Sequence, residues 1–336
     1  MTSQQARQTE GFPAAPFDAI IVGSGPSGLA CAIEAKRAGL SAVVLEQGSV
    51  VDAIRRFPTQ LVWFSTPELL EIGGVPMIIP TVRPTRVDTV AYYQRVTALF
   101  SLDVRTFDAV RSVRPCDDGF IVETMKGKSY AGRTVILATG YFDHPNTLGV
   151  EGEDLPHILR YYDEPQKYFG CDVVVVGGRN SAVEAALDLY RHGANVTLVH
   201  RGPKLSEGVK YWILPDIENR IKAGQIKALF NSRVVRFGAG EVFAETNGSA
   251  ETVRADFAFV LIGFHPDTAR LEEFGIRVHP DTLAPEIDEA TFETNVPGLY
   301  VAGSVVAGKN NNKIFVENGR MHAFSIIPSI AKKIRA

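Results

Sequence analysis

Two stretches of the chain are built to one plan, and nothing else in the sequence constrains the fold as tightly. Residues 18–48 read DAIIVGSGPSGLACAIEAKRAGLSAVVLEQG, and residues 171–202 read CDVVVVGGRNSAVEAALDLYRHGANVTLVHRG. Each is an apolar strand, a glycine-rich turn, a helix-length run and a second apolar strand. Parallel strands need a crossover of a dozen or more residues, and a helix supplies it. With 336 residues the chain is long enough for two domains, each burying its own core.

The first stretch carries a complete phosphate-binding pattern. Ala19–Val22 is predicted as a strand running into Gly23-Ser24-Gly25-Pro26-Ser27-Gly28, which fits G-x-G-x-x-G. The first glycine permits the tight turn, the second lets a pyrophosphate approach the backbone, and the third lets the following helix pack close to the strand. That helix, expected over Leu29–Ala38, offers its N-terminal amides to phosphate. The second strand, Ser41–Leu45, ends in Glu46-Gln47, and a carboxylate there accepts the hydroxyls of an adenosine ribose. The unit reads as a Rossmann-like dinucleotide site.

The second stretch repeats the layout with different chemistry. Asp172–Val176, Ser181–His192 and Asn195–Val199 are the expected strand, helix and return strand, around Gly177-Gly178-Arg179-Asn180-Ser181-Ala182. Arg179 stands where the second glycine would be. The return strand ends in His200-Arg201 instead of an acid, and a guanidinium suits a 2′-phosphate by charge and by its fork of donors. This unit is expected to take NADPH. A chain with NADPH at one site needs an acceptor at the other, and FAD meets that need with a free adenosine 2′-hydroxyl. The fold class expected is α/β with two Rossmann-like dinucleotide-binding domains.

Composition narrows the function classes. Lys and Arg number 35 against 38 Asp and Glu, a net charge of −3, which argues against a sequence-independent nucleic-acid binder. No run approaches the roughly 18 uninterrupted apolar residues of a membrane span. Residues 1–16, MTSQQARQTEGFPAAP, lack a hydrophobic core segment and are expected to be a disordered tail, not a signal peptide, so a cytoplasmic location is expected. The three cysteines, Cys31, Cys116 and Cys171, show no CxxC spacing, which offers neither a disulfide framework nor a metal cluster.

Further apolar runs support a chain that passes from one domain to the other and back. Arg133–Leu137 leads to Ala138-Thr139-Gly140, and Ala255–Leu261 leads to Ile262-Gly263-Phe264-His265-Pro266. Near the C-terminus, Leu299-Tyr300-Val301-Ala302-Gly303-Ser304 reads as a strand and a tight turn that closes over the flavin. A discontinuous FAD domain over residues 17–150 and 267–336 is expected, with an NADPH domain over 151–266 between its parts.

In the order of these motifs the chain resembles the low-molecular-weight thioredoxin reductases, and more closely the bacillithiol disulfide reductase family of thioredoxin-reductase-like flavoproteins. The resemblance runs from about Asp18 to the C-terminus. It is carried by Phe57-Pro58-Thr59, the run from Trp63 to Gly73, Pro84-Thr85-Arg86 with Tyr92-Tyr93, the second glycine turn, Trp212-Ile213-Leu214-Pro215, and Ile314-Phe315-Val316-Glu317-Asn318-Gly319-Arg320 with His322. It implies a homodimer or homotetramer that passes hydride from NADPH to FAD and electrons on to a small disulfide, bacillithiol disulfide by family.

The resemblance also implies FAD contacts at Gly23, Gly25, Pro26, Ser27, Gly28, Glu46, Gln47, Phe64, Ser65, Thr139, Gly140, Gly303, Ser304 and Phe315, with His322 close by. NADPH contacts are implied at Gly177, Gly178, Arg179, Asn180, Ser181, His200, Arg201, Ile262 and Gly263. Two departures matter. The CxxC that thioredoxin reductases carry ahead of the second glycine turn is missing, and Ser27 fills a slot where family members often carry cysteine. Cys31, one helical turn beyond Ser27, is expected to pack inward beside Leu29 and Ile33. The same architecture also hosts flavin monooxygenases and ferredoxin or flavodoxin reductases. The monooxygenase reading is weakened because no F-x-G-x-x-x-H occurs between the two glycine motifs.

Overall fold

The computed structural model describes residues 16–310 and 313–335, so the tail expected over residues 1–16 lies outside the described residues apart from Pro16. The chain forms two compact units. The first comprises the chain up to Arg55, Ser65–Tyr141 and everything from Pro266 on, and the second comprises Arg56–Phe64 and Phe142–His265. The change of unit at Tyr141/Phe142 falls earlier than the boundary expected at residue 150. Local contacts explain this: the Asn146 N–H donates to the Gly263 carbonyl at 2.9 Å, and the buried Glu153 carboxylate accepts the N–H groups of Leu148 and Gly149. The excursion Arg56–Phe64 is held in the second unit by an Arg56–Asp143 ion pair, Phe57 edge-on to Phe142 at 4.9 Å, and the Thr59 N–H on the Asp163 carbonyl.

In the first unit, β1 (Phe17–Val22) pairs in parallel with β2 (Ala42–Leu45) on one side and with Ser129–Leu137 on the other. The Ser129–Leu137 strand divides its free edge. Its first half pairs antiparallel with Gly119–Thr124, and its last residues pair in parallel with Leu299–Val301, which returns from the C-terminal segment. Seven strands result. Apolar side chains of Ile20, Val22, Val43, Leu45, Val135, Leu137, Leu299 and Val301 meet in one core.

The helix α1 (Pro26–Arg37) starts three residues earlier than the glycine pattern suggested. Pro26 occupies its first turn, where the missing N–H costs nothing and the ring presets φ. Nearly every residue from Gly28 to Ala35 is buried, which the small side chains Ala30, Ala32 and Ala35 permit.

The second unit is a five-stranded sheet with β3 (Asp172–Val176) at its centre, parallel to β4 (Asn195–Val199) and to Phe257–Val260. Alternate residues of β3 serve different cores: Val173 and Val175 face α2 (Asn180–Arg191), while Val174 and Val176 face Phe237 and Val242 of a separate three-stranded antiparallel sheet. Burial on both faces is why this strand reads as an unbroken apolar run. The strand expected at Ala255–Leu261 is regular over Phe257–Val260, with the Asp256 and Leu261 N–H groups still donating to the Asp172 and Val176 carbonyls at the two ends of β3.

The close approach of α1 to β1 yields a test. A Cβ at Gly28 would overlap the Gly23 carbonyl oxygen, a backbone atom that cannot yield without moving the turn. Gly28→Ala is expected to cost about 3 kcal/mol or more in urea unfolding, in line with overpacking against a fixed backbone. A loss below about 0.5 kcal/mol would show that helix and strand are not locked together here.

Candidate active site

The first glycine turn is closed on two sides and open on the third. Gly23 has φ +104°, and a Cβ there would stand 2.5 Å from the Ala138 carbonyl oxygen. Gly28 is jammed against Gly23, whereas a Cβ at Gly25 would meet nothing within 4 Å. The turn therefore presents Gly25 and the start of α1 outward, and no side chain caps that helix N-terminus. Open backbone at a glycine beside uncapped amides is what a phosphate group requires.

Glu46 ends β2 and is 7% exposed. One of its oxygens accepts the Ser24 N–H at 2.7 Å and the Ser24 hydroxyl at 2.9 Å, and the other accepts the Gly48 N–H at 2.8 Å. The carboxylate thus clamps the turn, while Gln47 beside it is exposed.

The C-terminal segment converges on the same turn. Gly303, at φ +77°, and Gly319 both lie against Ser27: a Cβ on Gly303 would come within 2.6 Å of the Ser27 hydroxyl, and one on Gly319 within 3.1 Å. The side chain in the family's cysteine slot is therefore walled by two glycines. Gly140, at φ +70°, adjoins Ser304, with Thr139 exposed beside it. The Gly303 N–H donates to His322 Nδ1 at 3.2 Å, and the His322 ring stacks on Phe292 at 4.0 Å.

Burial lowers the His322 pKa from its ordinary value to about 4. The imidazole is neutral, and its proton sits on Nε2 because Nδ1 accepts. Ser65 is buried and donates its hydroxyl to Glu317 Oε1, while Glu317 Oε2 is buried without a hydrogen-bond partner among the described residues, a fit for a ligand bearing an N–H or O–H donor. Phe315 is half-exposed and precedes the short helix Val316–Gly319.

Phe64, an expected flavin neighbour, and Ser65 fall in different units. Phe64 belongs to the second unit, its ring 5.3 Å from Trp212, and the chain returns to the first unit only at Ser65. Sequence periodicity carries no sign of this, because Phe64 and Ser65 are adjacent in one aromatic-rich loop.

The second turn is built like the first, with side-chain substitutes. Gly177 has φ +146°, and a Cβ on it would come within 2.5 Å of the Leu261 carbonyl oxygen and 2.7 Å of Ala182. A Cβ on Gly178 would overlap the His200 ring, so His200 shapes the turn from beneath, and burial together with the Arg201 charge lowers its pKa. Arg179 and Ser181 are exposed at the N-terminus of α2, and Arg201 is exposed after β4. Ile262 and Gly263 are held by Asn146, whose side chain donates to the Ile262 carbonyl and whose N–H donates to that of Gly263.

Asn180 uses its side chain internally, donating to the Gly208 carbonyl at 3.0 Å and accepting the Lys210 N–H at 2.8 Å. Buried Lys210 pairs with partly exposed Glu184 in this region, and the 26 positions between them leave the pair without a sequence signal. Cys31 is fully buried in α1, and burial pushes its thiol up to about 12, which disfavours the thiolate.

The model of the pyridine nucleotide-disulphide oxidoreductase family matches residues 20–303. The chain belongs to that family. It is 43% identical over 317 residues to the bacilliredoxin reductase Bdr of Bacillus subtilis strain 168, covering 94% of this chain and 98% of the relative. The bacillithiol disulfide reductase of Bacillus cereus superposes with a TM-score of 0.92 at 38% identity, over 95% of this chain and 99% of the other. The thioredoxin reductase of T. acidophilum superposes with a TM-score of 0.76 at 22% identity, over 96% of this chain and 100% of the other, which shows the shared fold. The enzyme is a two-dinucleotide oxidoreductase that depends on FAD and NADPH. No helix among the described residues is long and apolar enough to cross a membrane.

Two outcomes are expected from this geometry. Gly25→Ala, facing open space, should unfold within about 1 kcal/mol of the parent yet lose bound flavin on gel filtration, because the methyl enters the phosphate approach; full flavin retention would contradict it. For His322 the folded pKa lies below the unfolded one near 6.5, so its contribution is present above pH 6.5 and lost as pH falls toward 4. Between pH 7 and pH 4.5 the parent should lose about 2 kcal/mol more stability than His322→Gln. Parallel losses in the two proteins would refute the buried neutral imidazole.

Proposed function

We propose that this enzyme reduces a low-molecular-weight disulfide, bacillithiol disulfide, at the expense of NADPH, so that NADPH, a proton and the disulfide become NADP⁺ and two thiols. The observation that carries the reading is similarity along nearly the whole chain to the bacilliredoxin and bacillithiol disulfide reductases, with a glycine turn in each unit. FAD, when bound, supplies the hydride acceptor and the electron pair for the disulfide.

The chain's own groups do the rest. Gly23, Gly25 and Gly28 with the start of α1 take the flavin pyrophosphate, and Glu46 takes the adenosine ribose. The Gly177 turn takes the NADPH pyrophosphate, with Arg179 and Arg201 on the phosphates. Neutral His322 keeps the Gly303 N–H oriented beside Ser27. Ser27 cannot form a mixed disulfide, and buried Cys31 does not replace it, so the disulfide is reduced without an enzyme thiolate. The same reading puts the enzyme in the cytoplasm, where scattered unpaired cysteines stay reduced, as a homodimer or homotetramer.

The test measures NADPH oxidation with bacillithiol disulfide, and with an oxidised bacilliredoxin as alternative acceptor, for the parent, Ser27→Cys and Cys31→Ala. Parent turnover well above the oxygen-dependent background, kept in Cys31→Ala, is expected. Activity appearing only in Ser27→Cys, whose thiol the two flanking glycines leave room for, would overturn the thiolate-free route. NADPH should outperform NADH by about tenfold or more, since the charged pair with the 2′-phosphate is worth about 1.5–3 kcal/mol. Arg201→Ala should erase most of that preference through KM, and equal use of both coenzymes by the parent would refute the assignment.

A further inference from the structure

The loop that follows β4 is tied across the second glycine turn. The Ser206 N–H donates to the Gly178 carbonyl at 2.9 Å, and the Asn180 side chain adds the two bonds to Gly208 and Lys210 described above. Lys210 is 6% exposed. Its ammonium donates to the Val62 carbonyl at 3.0 Å, pairs with Glu184 of α2, and lies 5.8 Å from the centre of the Trp212 ring. Trp212 in turn lies against Phe64. Every one of these groups belongs to the second unit. The loop thus has one set of anchors on the phosphate turn and another on the excursion Arg56–Phe64, whose next residue, Ser65, is bonded to Glu317.

We propose that residues 206–212 form a strap that registers coenzyme at the second glycine turn and carries that state to Val62–Phe64, with Lys210 as the positioning residue. The proposal rests on the reading that the NADPH pyrophosphate occupies the Gly177–Asn180 turn. A phosphate at the start of α2 takes up the amides around Arg179–Ser181, and the turn's adjustment to it moves Gly178 and Asn180, the points on which the strap hangs. Lys210 makes the movement shared. A buried ammonium bonded at once to a carbonyl and a carboxylate does not release either partner cheaply, because release leaves a buried charge unpaired. Val62 therefore follows the strap, and the surroundings of Trp212 change with it.

The chain contains two tryptophans, Trp63 and Trp212, so Trp63→Phe leaves Trp212 as the sole reporter. The flavin-loaded Trp63→Phe protein is titrated with NADP⁺, with binding read by calorimetry and the strap read by Trp212 emission and its quenching by acrylamide. A saturable emission change with the calorimetric midpoint is expected. In Lys210→Met with Glu184→Gln, which removes both charges together, NADP⁺ should bind with affinity changed by less than about threefold while most of the emission change disappears.

Calorimetric binding with no Trp212 response overturns the strap and leaves the coenzyme reading standing. This arm needs no Lys210 variant. An undiminished response in the double variant overturns the role of Lys210. No NADP⁺ binding at all overturns the coenzyme reading, and the strap falls with it.

Discussion

Backbone packed on backbone at two glycines fixes the geometry on which the enzyme depends. Gly28 lies on the Gly23 carbonyl, and Gly177 lies on that of Leu261, each at a distance no Cβ allows. The first contact sets where α1 begins relative to the end of β1, and so where its N-terminal amides point; the second seats the Gly177 turn against the end of the neighbouring strand Phe257–Val260. A methyl at Gly28 would push α1 off β1 and turn a phosphate cradle into an ordinary loop. The remaining features, the buried Glu46 clamp, the walls of Gly303 and Gly319 around Ser27, and His322 behind Gly303, hold side chains in register with that backbone contact.

The two turns reach similar geometry by different means, and the difference has chemical meaning. The first turn is clamped by a carboxylate, which suits a ribose hydroxyl and repels a 2′-phosphate. In the second, the residue after the return strand is an imidazole packed under Gly178, followed by an exposed guanidinium. On the proposed reading, charge sorts the coenzymes, because the carboxylate disfavours the extra phosphate that the guanidinium attracts. The Lys210–Glu184 pair adds a constraint of another type. Its ammonium is buried while the carboxylate is partly exposed, and the pair ties α2, the loop after β4 and Val62 together.

What the sequence made legible was local. Glycine spacing, the apolar runs of β1 and β3, and the residues ending β2 and β4 each announce themselves within about thirty positions, and those elements form where expected. Helix starts were displaced because Pro26 and Asn180 join the first turn, where position-specific preferences outweigh the apolar pattern. The excursion Arg56–Phe64 was not legible, since its anchors Asp143, Asp163 and Lys210 lie far along the chain. His200 stands beside Arg201 in the sequence, and only the three-dimensional packing shows its ring against Gly178.

The central claim is that the flavin of this chain hands electrons to a small disulfide without help from a protein thiol. Anaerobic rapid mixing tests it most directly. The enzyme is reduced with one equivalent of NADPH, then mixed with bacillithiol disulfide while flavin absorbance is followed. The account predicts a single reoxidation phase whose rate rises with disulfide concentration and is unchanged after alkylation of accessible thiols. Flavin that stays reduced in the presence of the disulfide, and reoxidises only when oxygen is admitted, would contradict it.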